Sequence, residues 1–223
     1  DGKICYALSA IKSIGRNVIL AIVRERKENG AYTDLQNFLE RMYGGELNKR
    51  AVENLIKSGA MDCIEGNRRQ KMEVYSSIMD ELAREQKHSG QYSLMDFLEG
   101  PQKDDFKISF PKVPEYEPGA LLAMEKEVLG IYISGHPLEA DRSLIEKNIT
   151  AVSSDFIQDE ETGMARVRDQ AIVTVAGMIA AKTVKTTKTN QMMAFLTLED
   201  LRGTLEVIVF PKDYEKYRAI LSP

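Results

Sequence analysis

The hydrophobic period of this chain changes along its length, and that change bounds the folds open to it. Through residue 88 apolar side chains recur at helical spacing, whereas from Ala171 they alternate with a period of two or run continuously. One layer type cannot serve both patterns, so the sequence predicts an α+β chain, helices first and strands last. Between them, residues 89–119 carry Pro101, Pro111, Pro114 and Pro118, four of the seven prolines, and read as an extended, surface-lying connector.

In the helical part, "YTDLQNFLERM" opens with Thr33 and Gln36 in capping-box spacing and places Leu35, Phe38, Leu39 and Met42 on one face. "LNKRAVENLIKSG" starts at Asn48, turns Val52, Leu55 and Ile56 inward, and stops at Gly59. A longer helix follows Asn67, with Met72, Tyr75, Ile78, Met79 and Leu82 as a packing stripe. "ALLAMEKEVLGIYISGHPLE" gives a further helix ending near Gly130, and residues 150–169 read as polar loop.

Two corners stand out in this block. In "SAIKSIGRNVILAIVRER", Ala10 and Ile11 close one apolar run, and Val18, Ile22 and Val23 carry the next. Gly15 is expected to supply the permissive backbone of the turn. A helix restarting there offers unpaired amides from about Ile14 to Val18 to one phosphate oxygen, with Arg16 adding charge and Asn17 a hydrogen bond. An ordinary helical corner fits the same spacing. The second corner, "KSGAMDCIEGNRR", opens a helix at Gly66 and Asn67, followed at once by Arg68 and Arg69.

The period-two segments "AIVTVAGMIAAKTVKT", "MAFLTLED" and "GTLEVIVFP" predict three hairpin-connected strands of a small, incomplete antiparallel barrel. Lys182, Lys185 and Lys188 lie between Asp169 and Glu199 with no acid among them, and are assigned to the connection between the first two strands.

Net charge is −4, but it is uneven. Residues 1–90 hold 15 Lys/Arg against 13 Asp/Glu, residues 91–169 hold 8 against 16, and residues 170–223 hold 7 against 5. Any nucleic-acid contact is therefore expected at the two ends. Cys5 and Cys63 stand alone, which suggests neither a disulfide nor a zinc site and fits a reduced, cytoplasmic setting. No apolar run is long enough to cross a bilayer and no signal-peptide pattern is present. An opening Asp1 and an end just after a strand suggest a piece of a longer protein.

Sequence motifs for nucleotide cradling, nucleophilic hydrolysis and metal-dependent proteolysis are missing. His88 and His136 have no credible partner, and Asp104–Asp105 and Asp159 to Glu161 read as solvated charge. The chain itself is expected to bind rather than to break bonds, and to need no cofactor or metal.

Six stretches, in this order, resemble the alpha subunit of bacterial DNA polymerase III of the DnaE type. They are "LSAIKSIG", "LNKRAVENLIKSGAMD", "GNRRQ", "QYSLMDF", "AMEKEVLGIYISGHPL" and "MAFLTLEDLRGTLEVIVFP". The resemblance implies a tandem helix-hairpin-helix domain over residues 1–88, a clamp-binding motif and linker over 89–119, a helical connector over 120–169, and a truncated OB-fold domain over 170–223. It implies duplex DNA contacts at Ser13, Ile14, Gly15, Arg16 and Asn17 in the first hairpin. In the second it implies Gly66, Asn67, Arg68 and Arg69. Ser13 stands where the first glycine of such a hairpin would be, and the second hairpin is longer than usual.

Sliding-clamp sites resemble Gln-x-Ser-Leu-Phe, which implies clamp contacts from Gln91, Ser93, Leu94 and Met95, with Phe97 as the aromatic. Single-stranded template is implied at Lys182, Lys185 and Lys188, while Phe195 and Phe210 are expected in the core. Other replisome subunits are implied partners and a membrane is not. The parent would be a DNA-directed DNA polymerase, with its catalytic carboxylates and divalent metal, expected to be Mg, outside this stretch. Helix-hairpin-helix and OB units also recur in repair nucleases and helicases, which leave "EKEVLGIYISGHPL" unexplained. A protein scaffold using the acidic middle is the third reading.

Overall fold

The computed structural model describes residues 7–89, 109–160 and 162–221. They fall into two units, residues 1–134 and 135–223. The first is helical: α1 (Arg16–Asn29), α2 (Leu35–Met42), α3 (Lys49–Lys57), α4 (Arg68–Ser89) and α5 (Pro118–Leu129), with a short 3-10 turn at Leu8–Ala10 ahead of them.

Each start has a local cause. Asp34, not Thr33, caps α2, accepting from the Asn37 amide at 2.8 Å. Asn48 caps α3 by accepting from the Ala51 amide at 2.9 Å. At α4, Asn67 and Gln70 form a reciprocal box: the Gln70 amide donates to Asn67 Oδ1 at 2.8 Å and the Asn67 amide to Gln70 Oε1 at 2.9 Å. Pro118 opens α5, and Gly130 closes it in the left-handed region at φ +79°.

The predicted stripes converge on one core. Leu35, Phe38, Leu39, Met42, Val52, Leu55, Ile56, Ile78 and Met79 are buried together with Ile11, Ile14, Val18 and Ile22. Val128 and Leu129 of α5 join them, so α5 belongs to the helical unit, and the expected connector over 120–169 is split between the two units. Arg41 ties α2 to α1 by donating to Glu25 Oε1 (3.0 Å) and to the Gly30 carbonyl (3.1 Å), with its guanidinium 4.4 Å from the Tyr32 ring.

The second unit holds α6 (Arg142–Asn148), β1 (Met178–Thr186), β2 (Met192–Glu199), β3 (Thr204–Val209) and α7 (Pro211–Tyr217). The strands form one antiparallel sheet in the order β1-β2-β3. Residues 171–177, which the period-two pattern had included, are not strand, and β1 carries a register shift between Ile179 and Ala181. One face is the core side: Ala194 and Leu196 are buried against Tyr214 of α7, with Val207 and Val209 packed on them. The β2–β3 turn is held by Asp200, which accepts from the Arg202 and Gly203 amides (2.7 and 2.9 Å) and from the Ser153 amide and hydroxyl (both 2.6 Å).

Candidate nucleic-acid interface

The first hairpin is braced from behind and bare in front. Ile11 and Ile14 are buried, so Ile14 anchors the turn. The Lys12 amide donates to the Val128 carbonyl of α5 at 2.8 Å, and Asn54 Nδ2 of α3 donates to the Lys12 carbonyl at 2.7 Å. Ser13, not Gly15, adopts the left-handed conformation, at φ 63°. Gly15 is extended (φ −69°, ψ 151°) and serves as the N-cap of α1 without any capping side chain.

A Cβ on Gly15 would have nothing within 4 Å. The glycine thus keeps the approach to the first amides of α1 clear, and the bracing fixes where they point. Arg16 is exposed and makes no ion pair among the described residues. Asn17 is exposed too, but its side-chain amide is held by Glu46 at 3.0 Å. Beside Ser13 opens a groove of about 620 Å³ lined by Lys12, Lys49, Arg50, Asn54 and Lys57, with Glu53 and Glu127 among them. Lys49 pairs with Asp80, and Lys57 with Glu53 and Glu127, which leaves Arg50 and Lys12 as the groove's cations without a carboxylate partner among the described residues. Arg50 was not singled out from the sequence. Its position at the start of α3, two residues after the capping Asn48, was the available signal.

The second hairpin is covered: Gly66, Asn67 and Arg68, expected at the surface, are engaged within the chain, and Arg69 is part-exposed. Gly66 sits at φ +89° with the Phe110 ring 3.0 Å from where a Cβ would be. Asn67 Nδ2 donates to the Val113 carbonyl at 3.1 Å. Arg68 is buried; it donates to Asp62 (2.8 Å), Glu125 (3.1 Å) and the Lys57 carbonyl (3.2 Å). Arg69 stands 3.6 Å from Glu73 and 5.8 Å from the Tyr116 ring.

The amides of Arg68 and Arg69 both donate to Glu115, at 2.9 and 3.1 Å. Fully buried Lys71 donates to the Met61, Ile64 and Gly66 carbonyls, so the loop's carbonyls are also taken. Burial pushes the Lys71 ammonium below its ordinary pKa. Burial pulls the Glu115 and Glu125 carboxyls upward, but the amides and Arg68 that bind them outweigh it, and both lie below the ordinary carboxylate value.

In the second unit the three lysines separate. Lys182 and Lys185 lie on β1, and only Lys188 lies in the β1–β2 turn. Lys182 faces the core side, where its ammonium meets the Leu221 carbonyl and stands 5.4 Å from the Tyr214 ring, so it is committed internally. Lys185 projects from the other face, 5.0 Å from the Phe195 ring. Phe195 pairs with Ile208 of β3 and with Thr183 of β1, opposite to buried Ala194 and Leu196. Phe195 therefore lies on the outer face, not in the core, and Phe210 is also exposed, at 61%. Sequence reasoning missed this because "MMAFLTL" is apolar at nearly every position, and period two then cannot say which face is inside.

Gln91, Ser93, Leu94, Met95 and Phe97 lie outside the described residues. Nδ1 of His136 accepts from the Leu138 amide at 3.1 Å and caps the turn Pro137–Glu139. Among the described residues no group of three or more His, Cys, Asp and Glu could hold a metal ion, and no helix is long and apolar enough to cross a membrane.

The two modules define the class. A helix-hairpin-helix motif family matches residues 1–71, and an OB-fold nucleic acid binding domain family matches residues 173–223. The chain thus joins two kinds of nucleic-acid-binding fold. DNA polymerase III subunit alpha of Borreliella burgdorferi is 34% identical over 99% of the chain, and that of Escherichia coli 30% identical over 100%. The same subunit of Mycobacterium tuberculosis is 31% identical over 96% of the chain. The chain belongs to the DNA polymerase III alpha-subunit family, of whose relatives it spans 18–19% of the length.

Proposed function

We propose that this chain is a DNA-handling and clamp-binding part of a polymerase III alpha subunit, holding duplex product and single-stranded template during processive synthesis. The first hairpin carries the reading. Its helix start is uncapped, its glycine faces open space, and hydrogen bonds to α3 and α5 fix its loop. A phosphate oxygen seated there needs no reorganisation of the protein, and contacts of this kind give affinity without sequence preference. Arg50 and Lys12 extend the positive surface beside it. On the second unit, Lys185 over Phe195 supplies a cation and a ring on the face from which OB folds bind single strands.

Arg16→Glu tests the first hairpin. Loss of a charge-assisted phosphate contact, about 1.5–3 kcal/mol, weakens duplex binding by about tenfold or more. The slope of log K against log salt falls by about one, equally for unrelated sequences. Unchanged affinity and slope by fluorescence anisotropy refute the reading.

The clamp contact is proposed for Gln91, Ser93, Leu94, Met95 and Phe97, supported by their likeness to clamp-binding peptides and by the chain's family. Two linked attachments raise each other's effective concentration, which is what processivity needs. Substituting Gln91→Ala together with Leu94→Ala lowers affinity for purified sliding clamp by more than about tenfold, the scale of losing two anchors. Surface plasmon resonance with an unaltered affinity removes the clamp from the proposal. The parent's DNA synthesis, with its divalent metal held elsewhere, belongs to the same proposal.

A further inference from the structure

We propose that residues 110–116 form an autoinhibitory strap that keeps the second hairpin closed to DNA, with the Glu115 carboxylate standing where a backbone phosphate would. The strap is laced down at four successive places. Phe110 covers Gly66, Gln70 Nε2 donates to the Pro111 carbonyl at 2.9 Å, Asn67 Nδ2 donates to the Val113 carbonyl, and Glu115 receives the Arg68 and Arg69 amides. One carboxylate oxygen takes each of two consecutive amides at the start of a 22-residue helix. That is the chemistry by which such a start binds an anion, and the helix dipole favours it.

Two further observations point to an occupied site rather than a plain cap. The Asn67–Gln70 box already caps this helix, so Glu115 is not needed to begin it. The first hairpin, which also turns into a helix start, has neither a ring over its glycine nor a side chain on its amides. The loop beneath the strap stands without it, because Lys71 and not the strap holds its three carbonyls. Lifting the strap therefore frees the two amides and takes the Tyr116 ring off the Arg69 guanidinium, whose exposed pairing with Glu73 stays, while the corner keeps its shape. The ligand excluded is a phosphodiester, and in that respect the proposal rests on the duplex-binding reading above.

The test is the salt dependence of duplex binding by this chain, by Glu115→Gln and by Phe110→Ser. Glu117→Gln is the control, making the same charge change at an exposed neighbour. Thermal melts establish that each variant is folded, and hydrogen exchange at the Arg68 and Arg69 amides reports strap release. The expected result is faster exchange and a slope steeper by about 0.9, one more phosphate, in both strap variants and not in the control. A slope equal to that of the unaltered chain in both strap variants overturns the strap. If that happens while Arg16→Glu still weakens binding, the duplex reading stands alone. Binding by Glu115→Gln that is insensitive to Arg16→Glu leaves the strap standing and removes the first hairpin.

Discussion

Replacing Glu125 with alanine is expected to destabilise the helical unit by about 2–5 kcal/mol, the cost of leaving two amides unsatisfied and a buried guanidinium with one carboxylate fewer. Glu125 is 1% exposed on a helix that is otherwise apolar on that side, and its two oxygens have separate tasks. Oε1 receives both terminal nitrogens of Arg68 at 3.1 Å, and Oε2 receives the Ile133 and Ser134 amides at 2.9 Å. Removing the carboxylate leaves the two amides without their acceptor and the guanidinium with Asp62 as its remaining carboxylate. It also loosens the stretch "GIYISG", whose path after Gly130 is set by those two bonds.

The same group gives the unit an acid-side dependence whose sign follows from its shift. The folded carboxyl lies below its ordinary value of 4.5, so the native state holds the ionised form. Its contribution is complete above that value and is lost as pH falls through the lower folded one. Thermal melts from neutral pH down to about pH 3 should show that loss, and Glu125→Gln should flatten it while being less stable at neutral pH. A variant melting within a degree of the unaltered protein at neutral pH refutes the pair's role.

Phe195→Ala is expected to weaken single-strand binding by about 1–3 kcal/mol, the usual worth of one base stacked on a ring. Phe195 is half-buried on the outer face with the Lys185 ammonium 5.0 Å from its centre. A base laid on that ring has a cation beside its phosphate. Lys185→Ala should take about 0.7 off the salt slope and Lys182→Ala nothing, because Lys182 is bound on the opposite face. Phe195→Leu, which keeps the apolar bulk, should lose as much affinity as alanine if stacking is the cause. Anisotropy with a labelled oligothymidine decides it, and full affinity in Phe195→Ala ends the stacking role.

What could be read from the sequence was whatever a single element decides for itself. Asn48 and Asn67 cap as their neighbours require, and the stripes of α2, α3 and α4 bury what their spacing says. The α2 cap moved one residue because Asp34, next to Thr33, is the better-placed acceptor for Asn37. What could not be read depended on distant partners. Glu115 lies 46 and 47 positions from the amides it occupies, so nothing near "GNRR" announces that the corner is taken.

Lys71 carried a faint signal: it keeps step with Tyr75 and Ile78 on an apolar stripe, where a free cation has no place. At the first hairpin the glycine and the charge were seen, but the left-handed residue was misplaced. Ser13 holds it only because α3 and α5 fix the residue before.

The bracing of Lys12 by residues 54 and 128 has a consequence for when the chain can first act. A nascent polypeptide that has emerged only as far as α1 owns the glycine and the arginine but not the posture that aims them. On the reading proposed above, the first hairpin can grip DNA only after α5 has been made and has docked.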